Sequence, residues 1–179
     1  MLATPRTWVV GEVVTAALMN AEIRDQFNAL IAAQPSIVKG SNTSRTSTTT
    51  LAADPHLALN VSASATYLVD GFIDYDGAFG AGGLKVDFTL PAGAVLRWGL
   101  LGNVVADTTQ KYASNTADTG SLTAGTYGTG GTHTAGTLRG YLTVAGTAGA
   151  LTMRWAQNAS NATATTVYAG SWIRLERYS

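Results

Sequence analysis

Leu84-Lys85-Val86-Asp87-Phe88-Thr89-Leu90-Pro91 decides the fold of this chain. Its apolar residues alternate with Lys85, Asp87 and Thr89, so the two sets fall on opposite faces of a β-strand. Pro91, with no N–H to give a ladder, ends the run. The same signature repeats outward in both directions. Leu57, Leu59 and Val61 alternate with Ala58 and Asn60. Tyr67, Val69, Ile73 and Tyr75 share one face of a long strand broken by Gly71. Downstream come Leu96, Trp98 and Leu100, then Leu138, Leu142 and Val144, then Leu151, Met153 and Trp155, and last Ile173 and Leu175. Gly- and Asn-rich turns punctuate them. Strands with one apolar face and no helices between them predict a mainly β protein, an antiparallel β-sandwich of jelly-roll type, over residues 47–179. The strands at 137–145 and 149–156, separated by Gly146-Thr147-Ala148-Gly149, read as a hairpin. Residues 103–136 break the pattern and read as a long loop or as short strands joining the sandwich edges.

Before residue 36 the period changes. Thr15 is an N-cap for a helix that Gln34-Pro35 stops. Ala16, Met19, Ile23, Phe27 and Leu30 make one apolar stripe, with Glu22, Arg24, Asp25 and Asn28 opposite. A single helix of this length is marginal in water unless the stripe is covered. It packs on the sandwich or forms a short coiled coil between copies. Residues 1–14 read as an extended arm in which Trp8 either docks on a partner or folds back. Residues 36–46, polar from Lys39 onward with nothing to bury, read as a linker between the arm and helix (1–35) and the sandwich.

Composition narrows the function. Charged residues are 12% of 179, about half the usual share, and the net charge is zero. There is no basic stripe for nucleic acid and no Lys/Arg cluster for an anionic membrane. No apolar stretch reaches the roughly 20 residues of a membrane span, and the interrupted run at Trp8-Val9-Val10 does not read as a signal peptide. Cysteine is absent and the only histidines are His56 and His133, so no zinc spacing exists. Asp70, Asp74 and Asp76 share a strand face, with Asp87 on the next strand. They are the only candidates for a calcium site or a glycosidase pair, but the D-x-D-x-D-G loop is missing. They read instead as a solvated face or as partners of Lys85 and Arg97. No G-x-S-x-G elbow or phosphate loop is present. The expectation is a non-enzymatic protein without cofactor or metal. Trp98 and Trp155 belong to the core, whereas Tyr112, Tyr127, Tyr141, Tyr168 and Trp172 point outward.

Thr7-Trp8-Val9-Val10-Gly11-Glu12-Val13-Val14-Thr15-Ala16-Ala17-Leu18-Met19-Asn20, continuing through Arg24-Asp25 to Asn28-Ala29-Leu30, resembles an N-terminal segment of small virion proteins of tailed bacteriophages. Trp155-Ala156-Gln157-Asn158, Thr165-Thr166-Val167 and Gly170-Ser171-Trp172-Ile173-Arg174 resemble the last hairpin of sandwich domains in such proteins. The resemblance implies a virion component made in the host cytoplasm. It would be trimeric and attached through its arm and helix, as a minor tail or fibre-type protein or a head decoration protein. Trp8, Val10 and Val14 would anchor it to other virion proteins, and Met19, Ile23, Phe27 and Leu30 would join the copies. A second reading is a carbohydrate-binding module that meets a host-surface glycan through Tyr112, Tyr127 or Trp172.

Overall fold

A computed structural model describes residue 4 and residues 6–78, 82–103, 110–115, 122–123 and 133–179; of 103, 110–115 and 122–123 it describes the backbone. The chain is an N-terminal segment, one helix and two antiparallel sheets. Helix α1 runs through Ala16–Met19, a π-helical turn at Asn20–Arg24, and Asp25–Ala33. The strands are β1 (Ser36–Val38), β2 (Thr43–Arg45), β3 (Ala52–Val61), β4 (Thr66–Asp76), β5 (Leu84–Thr89) and β6 (Val95–Asn103). They continue with β7 (Gln110–Asn115), β8 (Leu122–Thr123), β9 (Thr134–Thr143), β10 (Gly149–Gln157), β11 (Thr165–Val167) and β12 (Trp172–Arg177).

Pairing among β3 to β10 follows one rule. β3 pairs with β10, β4 with β9, β5 with β8 and β6 with β7. That is a single long hairpin. It is rolled so that β3-β10-β5-β8 form one sheet while β4-β9-β6-β7 form the other. A rolled hairpin of eight strands is the jelly roll expected from the alternation. The larger sheet extends beyond β4 through β12 and β1, and through β11 and β2. β7 and β8 lie in the stretch where the sequence left open a loop or short edge strands.

Two local expectations are corrected. Residues 137–145 and 149–156 are not a hairpin, because β9 lies between β4 and β6 while β10 lies between β3 and β5 in the opposite sheet. The turn between them crosses the sandwich. Val144 N–H donates to Ala65 O at 2.8 Å and Ser64 N–H to Ala145 O at 2.7 Å, tying it to the corner between β3 and β4. Nor do the final segments pair with one another. β11 and β12 run one after the other along β4, parted by a kink where Gly170 adopts φ +90.

The apolar phase of each strand fills the space between the sheets. Leu57, Tyr67, Ile73, Leu84, Leu142, Met153, Trp155 and Leu175 are all buried, and Trp98 meets Phe88 edge-on with ring centroids 5.0 Å apart. Gly140 occupies an inward position of β9 because nothing larger fits. A Cβ there would stand 2.9 Å from the Arg97 carbonyl oxygen and 3.0 Å from Trp98 Cβ.

The stretch 36–46 is not a linker. β1 pairs with β12 and β2 with β11, and Lys39 between them is 1% exposed. Its Nζ donates to Asp54 Oδ2 at 2.7 Å, Asp54 Oδ1 at 2.9 Å and Thr43 Oγ1 at 2.7 Å. Asp54 also accepts from Trp155 Nε1 at 2.9 Å and from the backbone N–H groups of His56 and Leu57. Those two local bonds bulge β3, and the register against β10 shifts there. The bulge accommodates Pro55, which has no donor for the ladder. Arg45 stacks its guanidinium 4.1 Å from the Trp155 ring and donates to the carbonyls of Ala52, Ala53 and Trp155. Burial pushes that guanidinium down from its ordinary pKa, opposed by the nearby Asp54 carboxylate.

Candidate functional site

The N-terminal segment and helix carry the first candidate surface. Thr15 caps α1, its hydroxyl accepting from Leu18 N–H at 3.2 Å. A four-residue step overshoots one α-helical turn by about 40°, and Met19, Ile23 and Phe27 take two such steps in succession. The π-turn, in which Asp25 N–H donates to Asn20 O, offsets part of that drift. The stripe therefore stays together, and it is open to solvent: Met19 is 42% exposed, Ile23 43%, Phe27 61% and Leu30 46%. The helix meets the sandwich through its alanines instead. Ala29, Ala32 and Ala33 line a cavity of about 400 Å³ with Ser62 and the last residues of the chain.

Among the described residues, the arm makes polar contacts with itself and with the start of the helix. Arg6 pairs with Glu12, and its guanidinium lies 5.3 Å from the centre of the Trp8 ring. Arg6 N–H donates to Glu22 Oε2 at 3.3 Å, and Glu12 N–H to Val9 O at 3.1 Å closes a turn. Trp8, Val10 and Val14 are all exposed.

A second candidate surface covers the outer face of the larger sheet. Phe72 on β4 stands opposite Trp172 on β12, which stands opposite Val38 on β1. The next row along the strands holds Arg174, Asp70 and Arg139 side by side. Arg174 Nη2 is 3.2 Å from Asp70 Oδ2, and Arg139 Nε is 3.7 Å from Asp70 Oδ1. The following row holds Leu68 and Tyr141. Trp172 is half-buried, while Phe72, Leu68 and Tyr141 are exposed. A concavity of about 290 Å³ lies between the first two rows, lined by Asp70, Phe72, Thr137, Arg139, Trp172 and Arg174.

Asp70, Asp74, Asp76 and Asp87 are not gathered into one cluster. Asp87 lies in the opposite sheet and pairs with Arg154, while Asp70 pairs with Arg139 and Arg174 rather than with Lys85 or Arg97. Lys85 donates to Thr49 O instead. Asp74 takes His133, whose Nδ1 is 3.0 Å from Asp74 Oδ2 and whose ring stacks on Tyr168 at 3.8 Å. Burial, then the Asp76 and Asp74 carboxylates, raise the Tyr168 hydroxyl above its ordinary pKa. Among the described residues no three His, Cys, Asp or Glu side chains gather closely enough to hold a metal ion. No described helix is long and apolar enough to cross a membrane, a statement that does not extend to β-barrels.

Of the expected recognition residues, Trp172 lies on this outer sheet face. Tyr112 is in β7, where the backbone alone is described, and Tyr127 lies outside the described residues. Sequence reading passed over Phe72 and Leu68. The signal was present: both sit on the polar phase of β4, in step with Asp70 and Asp74.

The fold and its two surfaces define a jelly roll preceded by a solvent-exposed amphipathic helix. No protein-family model and no curated protein matches the sequence. Among solved structures, the chain is similar to one in the tripod (BppUct-A-L) from the baseplate of bacteriophage Tuc2009. The TM-score is 0.34 and the identity 10%, over 98% of this chain and 78% of that one. It is also similar to chains from the Gt and Gx strains of infectious bursal disease virus, each with TM-score 0.21. Their identities are 16% and 14%, over 80% and 79% of this chain but 40% and 38% of theirs. Likenesses this faint establish neither a common fold nor a common function.

Proposed function

We propose that this chain is a non-enzymatic structural protein of a tailed-bacteriophage virion. Three copies join through α1, the arm carrying Trp8, Val10 and Val14 attaches them to a neighbouring virion protein, and the jelly roll faces outward. This is the build of a minor tail or fibre protein or of a capsid decoration protein.

One observation carries the self-assembly half of this reading. Met19, Ile23, Phe27 and Leu30 form a continuous stripe that its own sandwich leaves in water. Full burial of such a side chain contributes roughly 1.5–3 kcal/mol, and about half of that remains to be gained at each position, so the stripe is unfavourable in a solitary copy and favourable between copies. The arm adds Trp8 and the exposed valines to the same end of the chain. The virion assignment and the number three come from the resemblance of Thr7–Leu30 to phage virion proteins. Jelly rolls occur in capsid proteins and in lectins alike, so the fold accommodates the reading without selecting it.

Particles grown from a genome encoding residues 36–179 alone test the proposal. The expected result, read by mass spectrometry of purified particles, is a virion that lacks this protein while the truncated jelly roll accumulates in the lysate. Truncated protein incorporated at the normal level contradicts it.

A further inference from the structure

The concavity on the outer face of the larger sheet is built for something other than a second helix or a second sheet. Its two sides differ in chemistry. On one side Trp172 and Phe72 stand on neighbouring strands, about 4.8 Å apart by the spacing of a sheet. On the other, about 6.8 Å further along the strands by the rise of two residues, run Arg174, Asp70 and Arg139. The carboxylate lies between two guanidinium groups, hydrogen-bonded by Arg174 and 3.7 Å from Arg139 Nε. Arg139 keeps 79% of its side chain in solvent and Arg174 keeps 49%, so both reach outward while touching Asp70. Each guanidinium has five N–H donors, and neither ion pair uses them all.

A pyranose ring presents two matching surfaces. Its C–H face is apolar and packs on an aromatic ring; its hydroxyls each donate and accept. Paired hydroxyls require an acceptor and donors side by side, and a carboxylate flanked by guanidinium groups supplies both. The volume, about 290 Å³, is at the small end of ligand sites and suits a single ring of a longer chain. A protein interface is less favoured. It would cover the Arg174-Asp70-Arg139 row and desolvate three charges for one shared carboxylate.

The geometry points to a saccharide-binding site at Asp70, Phe72, Arg139, Trp172 and Arg174, on the flat of the larger sheet. A sugar ring lies against Trp172 and Phe72, and its hydroxyls are held by the charged row. The site belongs to the jelly roll and does not depend on how the helix assembles.

Screening the full-length protein on an array of bacterial-surface, plant and animal oligosaccharides tests this, followed by titration of the best ligand. The expected result is binding that weakens about tenfold, the equivalent of roughly 1.4 kcal/mol, in Trp172→Ala and in Arg139→Ala. Asp70→Asn is expected to weaken it likewise. Arg139→Ala alters an exposed side chain and keeps the test valid if Trp172→Ala misfolds; unchanged melting curves identify variants that fold. Absence of binding to any glycan overturns the site. So does glycan binding that Arg139→Ala and Asp70→Asn leave intact. A change in oligomeric mass in these variants without loss of a glycan assigns the face to contacts between protein copies and also overturns it.

Discussion

Apolar residues in the jelly roll and in helix α1 are equally regular in sequence and meet opposite fates. Ile73, Leu138 and Leu175 are at most 1% exposed, whereas Ile23, Phe27 and Leu30 are each more than 40% exposed. A sheet with one apolar face finds its partner inside the same chain, because the rolled hairpin supplies a second sheet. The single helix beside it has no second helix to meet among the described residues. It touches the sandwich through alanines, and those bury little. The contrast separates a region that is complete in one copy from a region that is incomplete without another. It also says which perturbations should damage folding and which should damage assembly.

The largest effect on folding is expected at the buried ion pair. Lys39→Met leaves Asp54 buried without its cation, and a loss of about 3–5 kcal/mol is expected in urea unfolding. A loss below 1 kcal/mol would mean that 36–46 is the dispensable linker its composition suggests. Gly140→Val comes next. With Trp98 and the Arg97 carbonyl in the way, about 1–3 kcal/mol of overpacking strain is expected by the same assay.

Acid sharpens the first of these. Burial alone would raise the Asp54 pKa, but the Lys39 ammonium, the His56 N–H and the Trp155 indole outweigh it and hold it below the ordinary 3.8. The folded state therefore resists protonation more than the unfolded chain does. The stabilisation is complete above the unfolded value and is lost as pH falls through the lower, folded one. Urea midpoints measured at pH 7 and at pH 3 should fall with acid in the native protein and fall less in Asp54→Asn. Equal drops in both would remove Asp54 from the account.

The smallest effect on folding is expected in the helix. Ile23→Asp with Phe27→Asp should shift the unfolding of the jelly roll by no more than about 0.5 kcal/mol relative to native protein diluted to single copies, as surface changes do. A larger shift would show that the stripe supports its own sandwich after all.

The alternation in Leu84–Leu90, Tyr67–Tyr75 and Leu96–Leu100 made the strands and the core legible, because a period of two has one meaning. Pairing was less so. β9 and β10 look like a hairpin in sequence, and only the long-range match of β4 with β9 and β3 with β10 sends them to opposite sheets. Lys39, Arg45 and Asp54 were illegible for another reason: a charge in a polar stretch reads as solvated unless its partner, 15 residues away for Lys39, is known. On the outer face Trp172 was visible as an outward aromatic. Asp70 was visible on a solvated strand face, but its grouping with Trp172, Phe72 and Arg139 was not, since cross-strand register alone brings them together.

Light scattering of the purified full-length chain tests the central claim most directly. The native protein should show three times the 18.5 kDa of one copy, and the Ile23→Asp, Phe27→Asp variant should show one copy that still unfolds cooperatively. A native protein that stays at one copy across the accessible concentration range would contradict it.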